Sequence, residues 1–151
     1  MERSSVYHIS ERSCVYAVDR DALRVRLRAR AGDCEAVLVH YKNLYDHTAP
    51  YFTAAMEPLL MDGVTTLYEA EIRVPERHFK YWFELRAPEG TLYYTSDGFL
   101  EAVHETNCFY YPAINADDVL SLPGWAKGGT IYQIFVDRFF NGDAGNDPKG
   151  V

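Results

Sequence analysis

Cysteine is scarce, with three in 151 residues. Cys14, Cys34 and Cys108 show no C-x-x-C spacing, and an odd count makes a poor disulfide framework, so reduced thiols in a cytoplasmic protein are the expectation. Positive charge is also short. Fifteen Lys and Arg against 22 Asp and Glu leave a formal net charge of -7, which argues against nucleic acid as a partner, because phosphate binding needs basic residues in excess. No apolar run is long enough to cross a bilayer, and the start Met1-Glu2-Arg3-Ser4-Ser5 lacks the apolar stretch of a signal peptide. A membrane is therefore not an expected partner, and the cytoplasm is the expected compartment. Internal repeats and low-complexity tracts are missing. The five histidines, His8, His40, His47, His78 and His104, have no metal-ligand spacing, and no Ser-His-Asp arrangement emerges, so none is given a role.

What the chain does have is apolar content of 48% and 12 tyrosines, enough for one ordinary core. From Leu23 to Arg30 the residues alternate strictly, with Leu23, Val25, Leu27 and Ala29 on one face and Arg24, Arg26, Arg28 and Arg30 on the other, which predicts a half-buried strand. Gly32 and Asp33 supply a turn, and Ala36 to Tyr41 reads as a second strand, expected to pair with the first as a hairpin. Further strands are predicted over Thr65 to Val74, Phe79 to Leu85, Thr91 to Thr95 and Cys108 to Tyr111, with Gly- and Pro-containing breaks between them. Short strands without crossover helices indicate an all-β fold, an antiparallel sandwich over residues 1–115. A linker with one or two helical turns over Asp117 to Leu122 follows, covering 116–129. Thr130 to Val136 then reads as a nearly continuous apolar strand of the parallel-sheet kind, opening a second region, 130–151, whose partner strands are not in the chain.

The segment Trp125-Ala126-Lys127-Gly128-Gly129-Thr130-Ile131-Tyr132-Gln133-Ile134-Phe135-Val136-Asp137-Arg138-Phe139, with Asn141-Gly142-Asp143 and Asn146-Asp147-Pro148 after it, resembles the opening of the catalytic domain in the α-amylase family. It is most similar to the neopullulanase, cyclomaltodextrinase and maltogenic amylase branch. Upstream, Leu23 to Arg28, Phe79 to Leu85 and Tyr93 to Phe99 resemble that branch's starch-binding-type amino-terminal module. The resemblance implies an immunoglobulin-like sandwich followed by the first strand of a truncated (β/α)8 barrel. It also implies retaining hydrolysis of α-glucosidic bonds by a carboxylate nucleophile and a separate carboxylic acid. Those carboxylates belong to later barrel strands, so no catalytic residue is assigned here, neither Asp137 nor Asp143, and the chain alone is expected to be inactive. The implied partners are α-glucan oligosaccharides, the remaining catalytic barrel and a second subunit in a homodimer.

Four aromatics are candidates for carbohydrate stacking or for an interface. Trp82 falls on the charged face of its strand, opposite Phe79, Tyr81, Phe83 and Leu85, and Tyr45, Tyr51 and Phe52 lie in a segment expected to be irregular. Cover by a loop of the same domain is the competing expectation for Trp82. Of Tyr93 and Tyr94, alternation lets only one face outward. The arginine stripe is expected to pair with Glu69, Glu71 and Glu84. Asn141, Asp143, Asn146 and Asp147 gather hard oxygen donors in one short loop; composition alone reads them as turn residues, whereas the resemblance implies a calcium site in the parent enzyme that needs further ligands, with no cofactor required by the chain itself. The alternative function is an immunoglobulin-like protein interaction domain without sugar binding.

Overall fold

A computed structural model of the chain describes residues 1–11, 13–119, 123–126, 128–135, 139–143, 145 and 147. It divides into two units, Met1–Leu120 and Ser121–Val151. The first is a sandwich of two antiparallel sheets.

One sheet is built around β2 (Ala22–Arg30), whose Leu23, Val25, Leu27 and Ala29 are fully buried, as their alternation predicts. It pairs with β1 (Val15–Asp19) on one side and β6 (Thr65–Arg73) on the other, and β5 (Glu57–Met61) forms the outer edge beyond β6. On the solvent face the arginine stripe meets its acidic partners. Arg24 contacts Glu69 and Glu71 at 3.1 and 3.5 Å, and Arg26 contacts Glu69 at 2.7 Å. These cross-strand pairs offset the like charge along the arginine stripe, and where they face water they add little net stability. Glu84 is not among these partners, because it lies in the other sheet.

The second sheet runs β4 (Phe52–Ala55), β3 (Ala36–Asn43), β7 (Phe79–Ala87), β8 (Gly90–Thr95), β9 (Gly98–Leu100), and β10 (Phe109–Tyr111) pairs with the first residues of β7. Val37, Val39, Tyr81, Phe83 and Leu85 point inward to meet Leu23, Val25, Leu27 and Ile72. Tyr81 stays buried because its hydroxyl is satisfied. It bonds His8 Nε2 at 2.9 Å and Ser10 Oγ at 3.2 Å, and His8 Nδ1 reaches the Arg26 carbonyl at 2.6 Å.

The expected hairpin between Leu23–Arg30 and Ala36–Tyr41 does not form. After β2 the chain turns at Gly32, in the left-handed region at φ 80°, and passes to the opposite sheet. Two strands with strongly apolar inner faces gain more by facing each other across the core than by lying side by side, and β3 takes β7 and β4 as neighbours instead. Four strands were not anticipated: β1, β4, β5 and β9. The stretch Phe52–Met61, expected to be irregular, consists of β4 and β5 joined through buried Met56, whose N–H donates to the Val37 carbonyl. One continuous segment thus edges both sheets.

The helical expectation over 117–122 reduces to a 3-10 turn, Ala116–Asp118, closed by reciprocal hydrogen bonding between Asn115 and Asp118; Leu120 to Leu122 lie outside the described residues. In the second unit a 3-10 turn spans Gly124–Ala126. The strand expected over 130–136 is not formed in its described part. Thr130 to Phe135 have no ladder partner among the described residues, and Ile131 and Tyr132 are exposed, consistent with a parallel strand needing neighbours on both edges. Val136, Asp137 and Arg138 lie outside the described residues.

Candidate functional site

The outer face of the six-stranded sheet gathers polar and aromatic side chains around Trp82, a sequence-predicted site residue. Register sets it up. His40 on β3 lies opposite Trp82 on β7, Leu38 opposite Glu84, and Lys42 opposite Lys80. Trp82 is half-buried. Its indole stacks on His40 with ring centroids 4.0 Å apart, and the rings of Tyr93 and Tyr51 stand edge-on to it at 5.4 and 6.1 Å. His40 is itself fixed, by Glu84 at 2.8 Å and the Thr53 hydroxyl at 2.9 Å. Burial would push the Glu84 carboxyl up, but hydrogen bonds from Arg86 and His40 outweigh it and hold the group below its usual range. The Trp82 Nε1–H is buried with no acceptor among the described residues.

Two residues further along each strand, on the same face, two lysines are almost wholly covered, Lys42 at 2% and Lys80 at 1% exposure. Lys42 Nζ donates to the Ala49 carbonyl at 3.1 Å and meets Glu105 Oε1 at 2.9 Å, and Lys80 Nζ meets Glu105 Oε2. Lys42 also lies 4.7 Å from the centre of the Tyr51 ring. Burial, followed by repulsion from Lys42, lowers the Lys80 pKa. The Tyr51 hydroxyl contacts Cys108 Sγ at 3.4 Å, and burial pushes its pKa up.

The four aromatic candidates do not form one platform. Tyr51 and Trp82 come together, whereas Tyr45 packs edge-on against His78 at 5.0 Å and Phe52 tilts against Tyr41 at 5.7 Å. Of the tyrosine pair, Tyr94 turns inward against Phe83 and Phe109, leaving Tyr93 on the outer face. His40, Lys42, Lys80 and Glu105 escaped sequence reasoning. The lysines continue the polar face of their strands, and nothing local to either strand signals that distant loops cover them.

A second surface is apolar. Phe52, Leu59, Leu60, Met61 and Val64 are all more than half exposed and line the flank formed by β4, β5 and the turn after β5. In the second unit, the proposed calcium donors Asn141, Asp143 and Asp147 act on one another. Asn141 Nδ2 donates to both Asp147 oxygens, at 2.8 and 2.9 Å, Asn141 Oδ1 accepts from the Asp143 N–H, and Asp143 Oδ1 accepts from the Gly145 N–H. Asn146 lies outside the described residues. The oxygens are of the kind calcium prefers, but here they are engaged in turn hydrogen bonds.

Residues 1–115 match the family described as "Alpha amylase, N-terminal ig-like domain". The chain belongs to this family. As an alpha amylase N-terminal ig-like domain, it is 35% identical over 151 residues to a cyclomaltodextrinase of Bacillus sp, covering 97% of this chain and 27% of that protein. It is 34% identical over 149 residues to neopullulanase 2 of Thermoactinomyces vulgaris, covering 97% and 26%. A solved cyclomaltodextrinase superposes with a TM-score of 0.87 at 32% identity, over 99% of this chain and 26% of the other. The chain thus spans about a quarter of the length of the relatives it matches. These likenesses agree with the immunoglobulin-like sandwich and with the α-amylase-type parentage that the barrel-entry motif implied.

Proposed function

We propose that this chain is the non-catalytic amino-terminal module of an α-glucan-hydrolysing enzyme and that it works by packing, either on the catalytic barrel of its own enzyme or on a second subunit. The observation that carries this reading is the concentration of exposed large apolar side chains on one flank, Phe52, Leu59, Leu60, Met61 and Val64, where an edge strand also offers unpaired backbone groups. Pro58 and a register irregularity between Pro58 and Leu60 interrupt that edge. These features discourage indiscriminate strand addition and favour a side-chain-mediated fit. The test is the full enzyme carrying Leu60→Asp and Met61→Asp. Lowered melting temperature or subunit dissociation in sedimentation is expected. An enzyme indistinguishable from wild type in both would overturn the packing role.

A second reading, weak α-glucan binding, is favoured by Tyr51, Trp82 and Tyr93 around an indole N–H that has no acceptor among the described residues. Aromatic rings suit the apolar faces of sugars, and a free donor suits their hydroxyls. Titration with maltoheptaose, followed by chemical shifts of the Trp82 indole, tests it, and a flat response at millimolar sugar excludes it. In the complete enzyme we assign Asn141, Asp143, Asn146 and Asp147 to a calcium site, in which Asn141, Asp143 and Asp147 exchange their present turn hydrogen bonds for the cation, supported by donor chemistry alone. The proposed compartment is the cytoplasm, supported by the three unpaired thiols.

A further inference from the structure

The outer-face lysines pose a physical problem that the fold solves in an unusual way. Lys42 and Lys80 are cross-strand neighbours, both buried, and one carboxylate, that of Glu105, serves both. Burying two ammonium groups side by side is costly unless each is paired. Glu105 is also the only one of the three that reaches solvent, with 44% of its side chain exposed. It belongs to the turn His104–Asn107, closed by a hydrogen bond from the His104 N–H to Asn107 Oδ1. The far end of this turn is anchored at Ser96, which donates through both its N–H and its hydroxyl to the Asn107 carbonyl. On the other side, Lys42 holds the loop before β4 through the Ala49 carbonyl, and that loop delivers Tyr51 to the edge of the Trp82 indole.

We propose that Glu105 is a latch. Its carboxylate ties the 104–107 turn to both lysines and, through His47 Nδ1 at 3.8 Å, directly to the 44–51 loop. Its release leaves the weak Tyr51 hydroxyl contact to Cys108 Sγ to bridge the two segments and lets the loop swing off the sheet, uncovering the Trp82 ring and its buried Nε1–H. The cover that moves is Tyr51, since it rides on the loop; His40 and Tyr93, the other two rings against the indole, are rooted in β3 and β7's neighbour β8 and stay in place. The closed state is a self-contained aromatic cluster. The open state is a stacking surface with one hydrogen-bond donor, the chemistry of a pyranose site. That last consequence rests on the carbohydrate reading above, whereas the latch itself rests only on the ion-pair geometry.

The test uses the chain with Trp125→Phe, which leaves Trp82 as its sole indole, and compares Glu105 with Glu105→Gln. The expected result is a several-fold rise in acrylamide quenching of Trp82 and faster amide exchange at 47–51 and 104–108, with exchange in β2 and β6 unchanged, as local opening requires. Unchanged quenching and exchange would overturn the latch. If Glu105→Gln fails to fold, the double variant Lys80→Met, Glu105→Gln removes one charge from each side and is held to the same readouts. Maltoheptaose is then titrated into whichever variant opens. Tighter binding than to the parent chain supports a glucan-accepting open state, and an opened platform that gives no response overturns the sugar consequence while the quenching result still decides the latch.

Discussion

His40 lies flat on Trp82, with ring centroids 4.0 Å apart and planes inclined by only 11°. One face of the indole is therefore already occupied by a side chain that Glu84 and Thr53 hold in place. A glucose ring that stacks on Trp82 has a single face left to it.

Replacing His40 by Ala should remove this stack and two hydrogen bonds. The loss is expected to be about 1–3 kcal/mol, combining an aromatic contact with partly buried polar groups left to water. In a Trp125→Phe background, chemical denaturation gives the stability change and the emission maximum of Trp82 should move to longer wavelength. No change in either would mean that the stack is incidental.

The buried His8 predicts acid sensitivity. Its pKa is lowered from 6.5 to about 4, chiefly by burial, so the unfolded chain takes up this proton before the folded one does. The associated stability is whole above pH 6.5, declines as the pH falls towards about 4, and levels off below, for a total loss on the order of 3 kcal/mol. His8→Gln removes the titration while keeping hydrogen-bonding capacity. Denaturation curves at pH 7, 5.5 and 4.5 should show a shallower decline for the variant, and parallel declines would assign the effect to other groups.

Core and flank should respond in opposite ways. Phe83 is fully buried against His8, Tyr81 and Phe109, and Phe83→Ala should cost about 3–5 kcal/mol in the isolated chain. Leu60, 63% exposed, should tolerate Asp within about 0.5 kcal/mol there. Urea denaturation of both variants checks the contrast. A large penalty for Leu60→Asp in the monomeric chain would show that the flank is covered internally.

Hydrolysis should be absent from the chain itself. Retaining cleavage needs two carboxyl groups about 5–5.5 Å apart around the glycosidic bond, and under the proposed reading as a non-catalytic module this chain supplies neither. Incubation with maltodextrins and cyclodextrins should release no reducing sugar. Activity that co-purifies with the chain through several steps would require a catalytic pair within it.

Strict alternation made β2, β6 and β7 readable, since burying every second residue leaves a direct imprint on composition. Strand pairing was less legible. Leu23–Arg30 and Ala36–Tyr41 are separated by a hairpin-like turn, but which sheet each joins depends on residues such as Phe79–Leu85 far along the chain. Strand β5, Glu57-Pro58-Leu59-Leu60-Met61, has no alternation because it buries neither face, so periodicity had nothing to detect. The same limit hid the covered lysines. Trp82 was placed correctly on the outer face, but its cover comes from a loop about 30 residues earlier in sequence, a relation that spacing along one strand does not encode.

The segment Phe52–Met61 edges one sheet as β4 and the other as β5, with Met56 buried between them. Anything seated on this flank therefore touches both halves of the sandwich at once. Under mass action, a partner that recognises only the folded module adds its binding free energy to the folding equilibrium, and here it would do so for both sheets together. Association and folding of the module then become a single linked equilibrium, with a melting temperature set in part by how much partner is present.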